Sequence, residues 1–568
     1  KPLTIVMKED VQKVDEVVIT GIFNKPKESF TGAVTAISKE DLKANYSRNL
    51  IQTLSNLDPS FRIIQNNEQG SNPNALPEIQ LRGASTFSNV SDLQKASRAE
   101  LNTPLFIMDG FEVSLERVMD LNDNEVENIT ILKDASATAL YGSRGANGVV
   151  VITTIRPESG KLQVTYDGTI KVQAPDLSSY DYLATAREKF ELEEAYGIYE
   201  TVNGKTYYDK VKDAVDRGVN FDWLGVPVRT GVGQRHRLNF MGGAEEWRFR
   251  LDLSYDGEVG VMKGSERNNY NGTLEVNYMT DKWTVIQSFS VGVNTAKDSP
   301  YGSYSAFASM NRYWEPYDEN GNLVEYFNHP LATMVENPVY NWEKGVWNKS
   351  KYSIFRSGTS IRYAIRKGFD VMGSLGLTRQ ISQRDEFTPP SHKMFNSVTD
   401  ITQKGRYSRN ETEKDSWRAL MTVNWTKTFA EKHSVTANFN AEIQEDLNDR
   451  VYWAATGFIN DKIDHAGMSL GYPNTTGTQG EETTTRRISL RAGLNYYYDM
   501  RYFLDLSYST DGSSSFGSDS RWGAFYAIGG GWNISNESFI ADHVGWISNL
   551  RLRYSFGVTG NMGFNPSD

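Results

Sequence analysis

"WRFRLDLSY", Trp247 to Tyr255, decides the fold. Trp247, Phe249, Leu251, Leu253 and Tyr255 fall on one face of an extended chain, and Arg248, Arg250, Asp252 and Ser254 on the other. Period-two alternation marks a strand with one apolar side. "HSVTANFNAEI" repeats it, with Val435, Phe439 and Ile443 against Thr436, Asn438, Asn440 and Glu442. So do "RRISLRAGLNYY", with Ile488, Leu490 and Leu494 against Arg487, Arg491 and Asn495, and "NLRLRYSFGV", with Leu550, Leu552 and Tyr554 against Arg551 and Arg553.

A soluble sandwich also alternates. Segment length argues for a membrane barrel instead. Many runs reach ten residues or more, enough to cross a bilayer when tilted, whereas ordinary strands average about five or six. The links point the same way. Short ones at "GGAEE" (242–246), "TDK" (280–282), "RKG" (366–368), "FAEK" (429–432) and "YDM" (498–500) alternate with long ones near 173–233, 298–350, 382–414 and 447–484. Alternation of this kind places the long loops on one side of a barrel. An Arg facing lipid near the midplane costs about 2–4 kcal/mol, so the arginines are expected to line a wet lumen. Roughly thirteen strand candidates follow residue 160, and the chain ends at "GNMGFNPSD" directly after one. Closed single-chain barrels use even strand numbers, so the barrel is expected to be incomplete. The chain starts at Lys1 without Met, which fits a processed or trimmed piece.

Composition narrows the function. Among 568 residues there is no cysteine, which removes disulfides, Cys-ligated zinc and Cys nucleophiles. A net charge of −11 without a basic stripe argues against nucleic acid. The six histidines (His236, His329, His392, His433, His465 and His543) are scattered, and neither H-E-x-x-H nor G-x-S-x-G occurs. No enzyme activity, metal or cofactor is expected. "DLNDNE", Asp120 to Glu125, is acidic but lacks the glycine and distal Glu of a calcium loop, and reads as a solvated loop.

Residues 1–160 have a mixed character. In "YGSRGANGVVVITT", Tyr141 to Thr154, three glycines recur at three-residue spacing. A phosphate loop runs from strand to glycines to helix. Here a helix capped by Asp134 leads in, Gly142 stands at a C-cap position, and a β-branched strand leads out. The glycines therefore read as structural turns in a small α+β unit.

These stretches resemble the SusC/RagA class of TonB-dependent outer-membrane transporters over essentially the whole chain. "VDEVVITG", with Val14, Asp15, Glu16, Val17, Val18, Ile19, Thr20 and Gly21, resembles the TonB box. Spacing alone leaves open a plain plug strand there. "NTPLFIMDGFEV", with Pro104, Asp109 and Gly110, resembles a plug motif. "VENITILKDASATALYGSRGANGVVVITT", with Lys133, Asp134, Tyr141, Gly142, Arg144, Gly145 and Gly148, is similar to the plug signature. "DGSSSFGSDSRWGAFYAIGGGWNIS" and "LRLRYSFGVTGN" resemble barrel segments.

The resemblance implies an α+β plug domain inside a transmembrane antiparallel β-barrel. The family barrel has 22 strands, of which about the first half to two-thirds is expected here. The implied domains are 1–23 (the end of an N-terminal β domain plus the TonB box), 24–158 (plug) and 159–568 (partial barrel with long extracellular loops). The implied function is TonB-dependent import of oligosaccharides across the bacterial outer membrane. TonB would be driven by ExbB/ExbD, and a SusD-like surface lipoprotein would act as lid, with pairing of two such SusC–SusD complexes. The alternatives are an oligopeptide importer of the RagA type and a signal-transducing receptor. Arg82, Ser85 and Phe87 in the plug, and Tyr304, Tyr313 and Trp314 in a long loop, are the candidate substrate contacts. Against them stands the reading that the aromatics are girdle or lid-facing surface.

Overall fold

The computed structural model describes residues 17–19, 24–26, 31–64 except 46 and 48, 72–81, and 103–560 except 201, 330, 331, 475, 476, 516–520, 545 and 548. Among them, thirteen strands from Gly160–Gln173 to Arg551–Val558 form one antiparallel sheet, each paired with the next long strand in sequence. The register puts alternate residues on opposite faces, as the alternation predicts. Trp247 and Leu253 are exposed on the outside, whereas Arg250 and Asp252 are buried on the inside, at 1% and 2% exposure.

Two aromatic girdles bound the outer face. Near the short turns, Trp247 packs on Tyr278, Trp283 on Tyr363, and Tyr502 on Tyr498 and Trp532. Nearer the long loops, Tyr255 packs on Tyr270, and Trp522 stands exposed. The two girdles lie eight residues apart from Trp247 to Tyr255 and ten from Trp532 to Trp522. At ~3.3 Å per residue and ~40° tilt this is about 20–25 Å of height, the apolar band of an outer-membrane barrel.

The strands outrun the bilayer. Arg406–Phe429 and His433–Thr456 have 24 residues each, where about 9–11 suffice to span. The loops beyond them, 389–405 and 457–478, are therefore shorter than the sequence suggested. Their polar, β-prone residues continue the ladder above the membrane instead of leaving it. Alternation of loop length also has two departures: 260–265 is short on the long-loop side, and 534–550 is long on the short-turn side.

A smaller five-stranded sheet lies against the inner face. Its order is Val34–Ser38, Val126–Leu132, Val149–Thr154, Leu105–Met108, Phe111–Val113, with one parallel pairing between Leu105–Met108 and Val149–Thr154. The central strand "VVVITT" is buried on both faces, which explains its unbroken apolar run. Val150 and Ile152 pack with Leu50, Ile51, Leu54, Phe61 and Ile79 from the helix Leu50–Leu57 and a hairpin. Val149 and Val151 face Ile107, Leu132 and Tyr141 on the other side.

The long loops 174–230 and 298–346 fold together around a shared aromatic core. Trp223 donates its indole N–H to the carbonyls of Asn311 and Trp314 (both 3.1 Å), and Trp314 stacks on Phe327 at 5.0 Å.

Candidate functional site

The inner sheet's loops are set by local chemistry. Asp109 and Gly110 both take positive φ (50° and 87°), as the tight Asp-Gly hairpin turn requires. The Asp109 carboxylate then accepts from the Thr154 backbone N–H (2.9 Å) and hydroxyl (2.8 Å), fastening the turn to the central strand. Pro104 precedes the strand Leu105–Met108. Asp134 caps the short helix by accepting from Ala137 N–H at 2.9 Å, and its other oxygen accepts from Ala33 N–H at 2.7 Å. Lys133 pairs with buried Asp58 at 2.6 Å.

The glycines sit in turns, as their flanks predict. Gly142 stands at the break between two short helical runs. Its φ of 59° and ψ of −134° make a kink inside the run Ala139–Gly145. A Cβ there would lie 2.0 Å from Asp511 Oδ2 on the wall of the large sheet. That carboxylate accepts from the backbone N–H and hydroxyl of Ser143, both at 2.9 Å. The glycine thus admits a barrel carboxylate to a plug turn. Gly145 lies against the Thr138 carbonyl, and Gly148 (φ 87°) against Leu81. Tyr141 is buried beside them.

Arg144 reaches across the same seam. It donates to Glu112 at 2.6 Å and to Glu442 at 3.1 Å. Glu442 also accepts from Arg418 and Arg491, each at 2.7 Å, and is 1% exposed. Arg418 donates in addition to the Gly110 carbonyl at 2.5 Å. One buried carboxylate thus joins three wall or plug guanidinia, and two of the sequence motifs meet there. Near the N-terminal end of the described plug, Thr31 donates to Asp505 through its N–H (3.1 Å) and hydroxyl (2.7 Å). Arg553 donates to the Gly32 carbonyl at 3.0 Å.

"DLNDNE" is not a solvated loop. Asp120, Asn122, Asp123, Asn124 and Glu125 are all buried. Asp120 takes Arg267 in a two-pronged pair (2.8 and 2.7 Å), Asn269 at 3.0 Å, and the Tyr352 hydroxyl. The expected wet lumen is corrected accordingly: along this wall the inward charges of the large sheet meet the plug, not water.

The remaining candidates separate. Val17–Ile19 forms a short strand paired antiparallel with Asn24–Pro26. Val14, Asp15, Glu16, Thr20 and Gly21 lie outside the described residues, as do Arg82, Ser85 and Phe87. Tyr313 and Trp314 do not line a binding surface. They are 3% and 8% exposed in the core of the loop unit. Tyr304 is half-buried against that core. Aromatic rings in a polar loop read as ligand platforms in sequence, yet the same rings supply large apolar area that two loops can pack. The Tyr313 and Tyr199 hydroxyls both donate to Glu193 (3.2 and 2.7 Å), and burial, then Glu193, pushes both phenols up.

Glu442, Arg418, Asp511 and Arg267 are residues of this seam that the sequence does not mark as a site. Their signal was the inward parity of each strand, which marks Glu442 as polar-faced without naming its partner.

The family model of the TonB-dependent Receptor Plug Domain matches residues 26–149. TonB-dependent receptor P39 of Formosa agariphila is 28% identical over 99% of this chain and 51% of its own length. TonB-dependent receptor SusC of Bacteroides thetaiotaomicron is 25% identical over 99% of this chain and 55% of its own. The chain therefore spans about half the length of the curated relatives it matches. Among solved structures, the RagAB peptide importer in its open-open state superposes with a TM-score of 0.77 at 23% identity, covering 97% of this chain and 62% of that one. The ferric citrate transporter FecA superposes at 0.54 with 10% identity, covering 93% and 63%. Both share the fold, a plug inside an outer-membrane barrel. With the plug-domain model matched over residues 26–149, similarity to SusC over 99% of the chain and a fold shared with the RagAB importer, this chain carries a TonB-dependent receptor plug domain and is similar along its length to TonB-dependent receptors of the SusC type.

Proposed function

We propose that this chain carries the plug and part of the barrel of an importer that takes oligosaccharides across the outer membrane. The carrying observation is the ionic seam at Glu442, Arg144 and Asp511. A plug held by buried charge pairs leaves its wall only rarely by thermal motion, so steady passage needs work done on it. In this reading TonB supplies the work, driven by ExbB/ExbD.

The TonB box is assigned to Val14–Gly21. Residues 1–23 precede the plug, 24–158 form it, and 159–568 belong to the barrel. The β-pairing of Val17–Ile19 supports a segment that adds to a partner's sheet edge through main-chain hydrogen bonds. A SusD-like lipoprotein closes the long-loop side, and two such pairs associate. The similarity to SusC favours glycan cargo. The likeness to the RagAB peptide importer keeps oligopeptides as the second reading.

The test is uptake by cells carrying the full-length gene, with a panel of labelled oligosaccharides and oligopeptides. Proline at Val18 is expected to abolish uptake of the true cargo at normal surface levels, because it removes a backbone donor. Alanine there should leave most of it. Equal uptake in both variants refutes the assigned TonB box. Loss confined to a peptide selects the second reading.

A further inference from the structure

We infer that Arg356 and Arg117 form an oxyanion subsite at the seam between plug and barrel wall, taking a carboxylate or phosphate group. Arg356 lies on the lumen face of Trp347–Arg366, in register with Ser290 on one side and Thr378 on the other. Its Nε and Nη1 are buried and have no hydrogen-bond partner among the described residues. Arg117, from the plug helix Leu115–Met119, reaches the same stretch of wall: its partner Asn271 is in register with Gly292, and Gly292 with Ile354, two residues from Arg356 on the same face. Arg117 is itself 4% exposed and donates to a neutral partner, Asn271 Oδ1, at 3.1 Å.

In this Arg356, though not Arg117, which has Glu125 as a charged neighbour, differs from the neighbouring seam cations. Arg267 has Asp120, Arg237 has Asp252, Arg491 has Glu442, and Arg144 has both Glu112 and Glu442. Asp120 is close by, yet its oxygens are already taken by Arg267, Asn269 and Tyr352. On the opposite side, the plug ring Phe111 packs against Gly358 and Gly376, an apolar end wall. Burying one guanidinium without a counter-charge is costly, and placing a second like charge beside it is costlier. An oxyanion between the two offsets both. The planar fork of Arg fits the two oxygens of a carboxylate or phosphate, and Ser290 and Thr378 stand beside Arg356 on the lumen face. Because one guanidinium rides on the plug and the other on the wall, the bound anion bridges the two.

The anion has two sources, a charged group on the cargo or a free inorganic ion. The cargo source rests on the import reading; the subsite does not. The test uses purified full-length receptor in detergent micelles, where no TonB is needed. Thermal unfolding is followed at constant ionic strength as phosphate replaces chloride. Wild type is expected to show a saturable rise in Tm, as binding to the native state requires. Arg356→Gln should lose that rise, with affinity falling about tenfold or more. Arg356→Lys should keep part of it. Without phosphate, Arg356→Gln should melt no lower than wild type, since a like-charge contact is gone. If Arg356→Gln fails to fold, Arg117→Gln must show the same loss. An equal phosphate response in wild type and both Gln variants overturns the subsite, as does no response in wild type. Oligosaccharides of one length, with and without a single carboxylate, then separate the sources. A shift with the charged sugar only assigns the cargo, and a shift with phosphate only assigns the free ion. Failure of the Val18 uptake test leaves this result standing.

Discussion

Replacing Glu442 with Gln tests whether the ionic seam holds the plug. The carboxylate serves three guanidinia. Arg418 and Arg491 come from the wall, each at 2.7 Å, and Arg144 comes from the plug at 3.1 Å. After neutralisation Arg144 retains Glu112 at 2.6 Å and Arg418 retains the Gly110 carbonyl at 2.5 Å. Arg491 is the worst placed, because its Nε and Nη2 have no partner even before the change. Breaking a buried pair from one side costs about 3–5 kcal/mol in total. The share that falls on plug docking is the single charge-assisted contact to Arg144, about 1.5–3 kcal/mol. At ~1.4 kcal/mol per decade, plug opening should become roughly 10–100 times more frequent. The assay is amide hydrogen exchange on full-length receptor in micelles, read along the strand Val149–Thr154. Its amides should exchange faster by that factor. Amides of the wall strand Trp347–Arg366, away from Glu442, should not change. A double-mutant cycle with Arg144→Ala should show coupling between the two sites. Unchanged protection in Val149–Thr154, or strict additivity in the cycle, would refute the claim that this carboxylate holds the plug.

Three further outcomes are expected. Gly142→Ala puts a Cβ 2.0 Å from Asp511 and should lower Tm more than Gly110→Ala, which has open space and bears only left-handed strain of about 1–2 kcal/mol; equal melting points contradict the Asp511 contact. Leu251→Arg, midway between Trp247 and Tyr255 on the outward face, should cost about 2–4 kcal/mol when folding into liposomes is titrated with denaturant; no change would mean this face is not in lipid. Tyr199 and Tyr313 have raised phenol pKa values, so the folded loop unit holds their protons more tightly than the unfolded chain does. Its stability is full below about pH 10 and is lost as pH rises toward the folded values. Phenolate absorbance should show both rings un-ionised until near-ultraviolet circular dichroism reports melting of the unit, and Glu193→Gln should weaken that link.

Much of the fold is legible in residue order because it depends on local geometry. A strand's side chains alternate whatever lies around them, so "WRFRLDLSY" already assigns Trp247 and Leu253 to one environment and Arg250 and Asp252 to another. Asp109-Gly110 and Asp134 likewise act within a few residues of themselves, and their turn and cap are readable as such.

What covers the polar face is not local. Arg144 and Glu442 stand 298 residues apart, and Ser143 and Asp511 stand 368 apart. No periodicity connects them. Residue order therefore left the lumen wet, "DLNDNE" solvated, and Tyr313 and Trp314 as either substrate contacts or exposed surface. The tertiary structure decided each of these otherwise, for one physical reason. Water and a folded plug are interchangeable partners for an isolated strand's charges, but only the plug, once docked, excludes water and makes every carboxylate, guanidinium and glycine Cβ position depend on a distant neighbour. What the sequence determined by itself is which side each residue faces; which neighbour meets it there was decided by the packing of plug against wall.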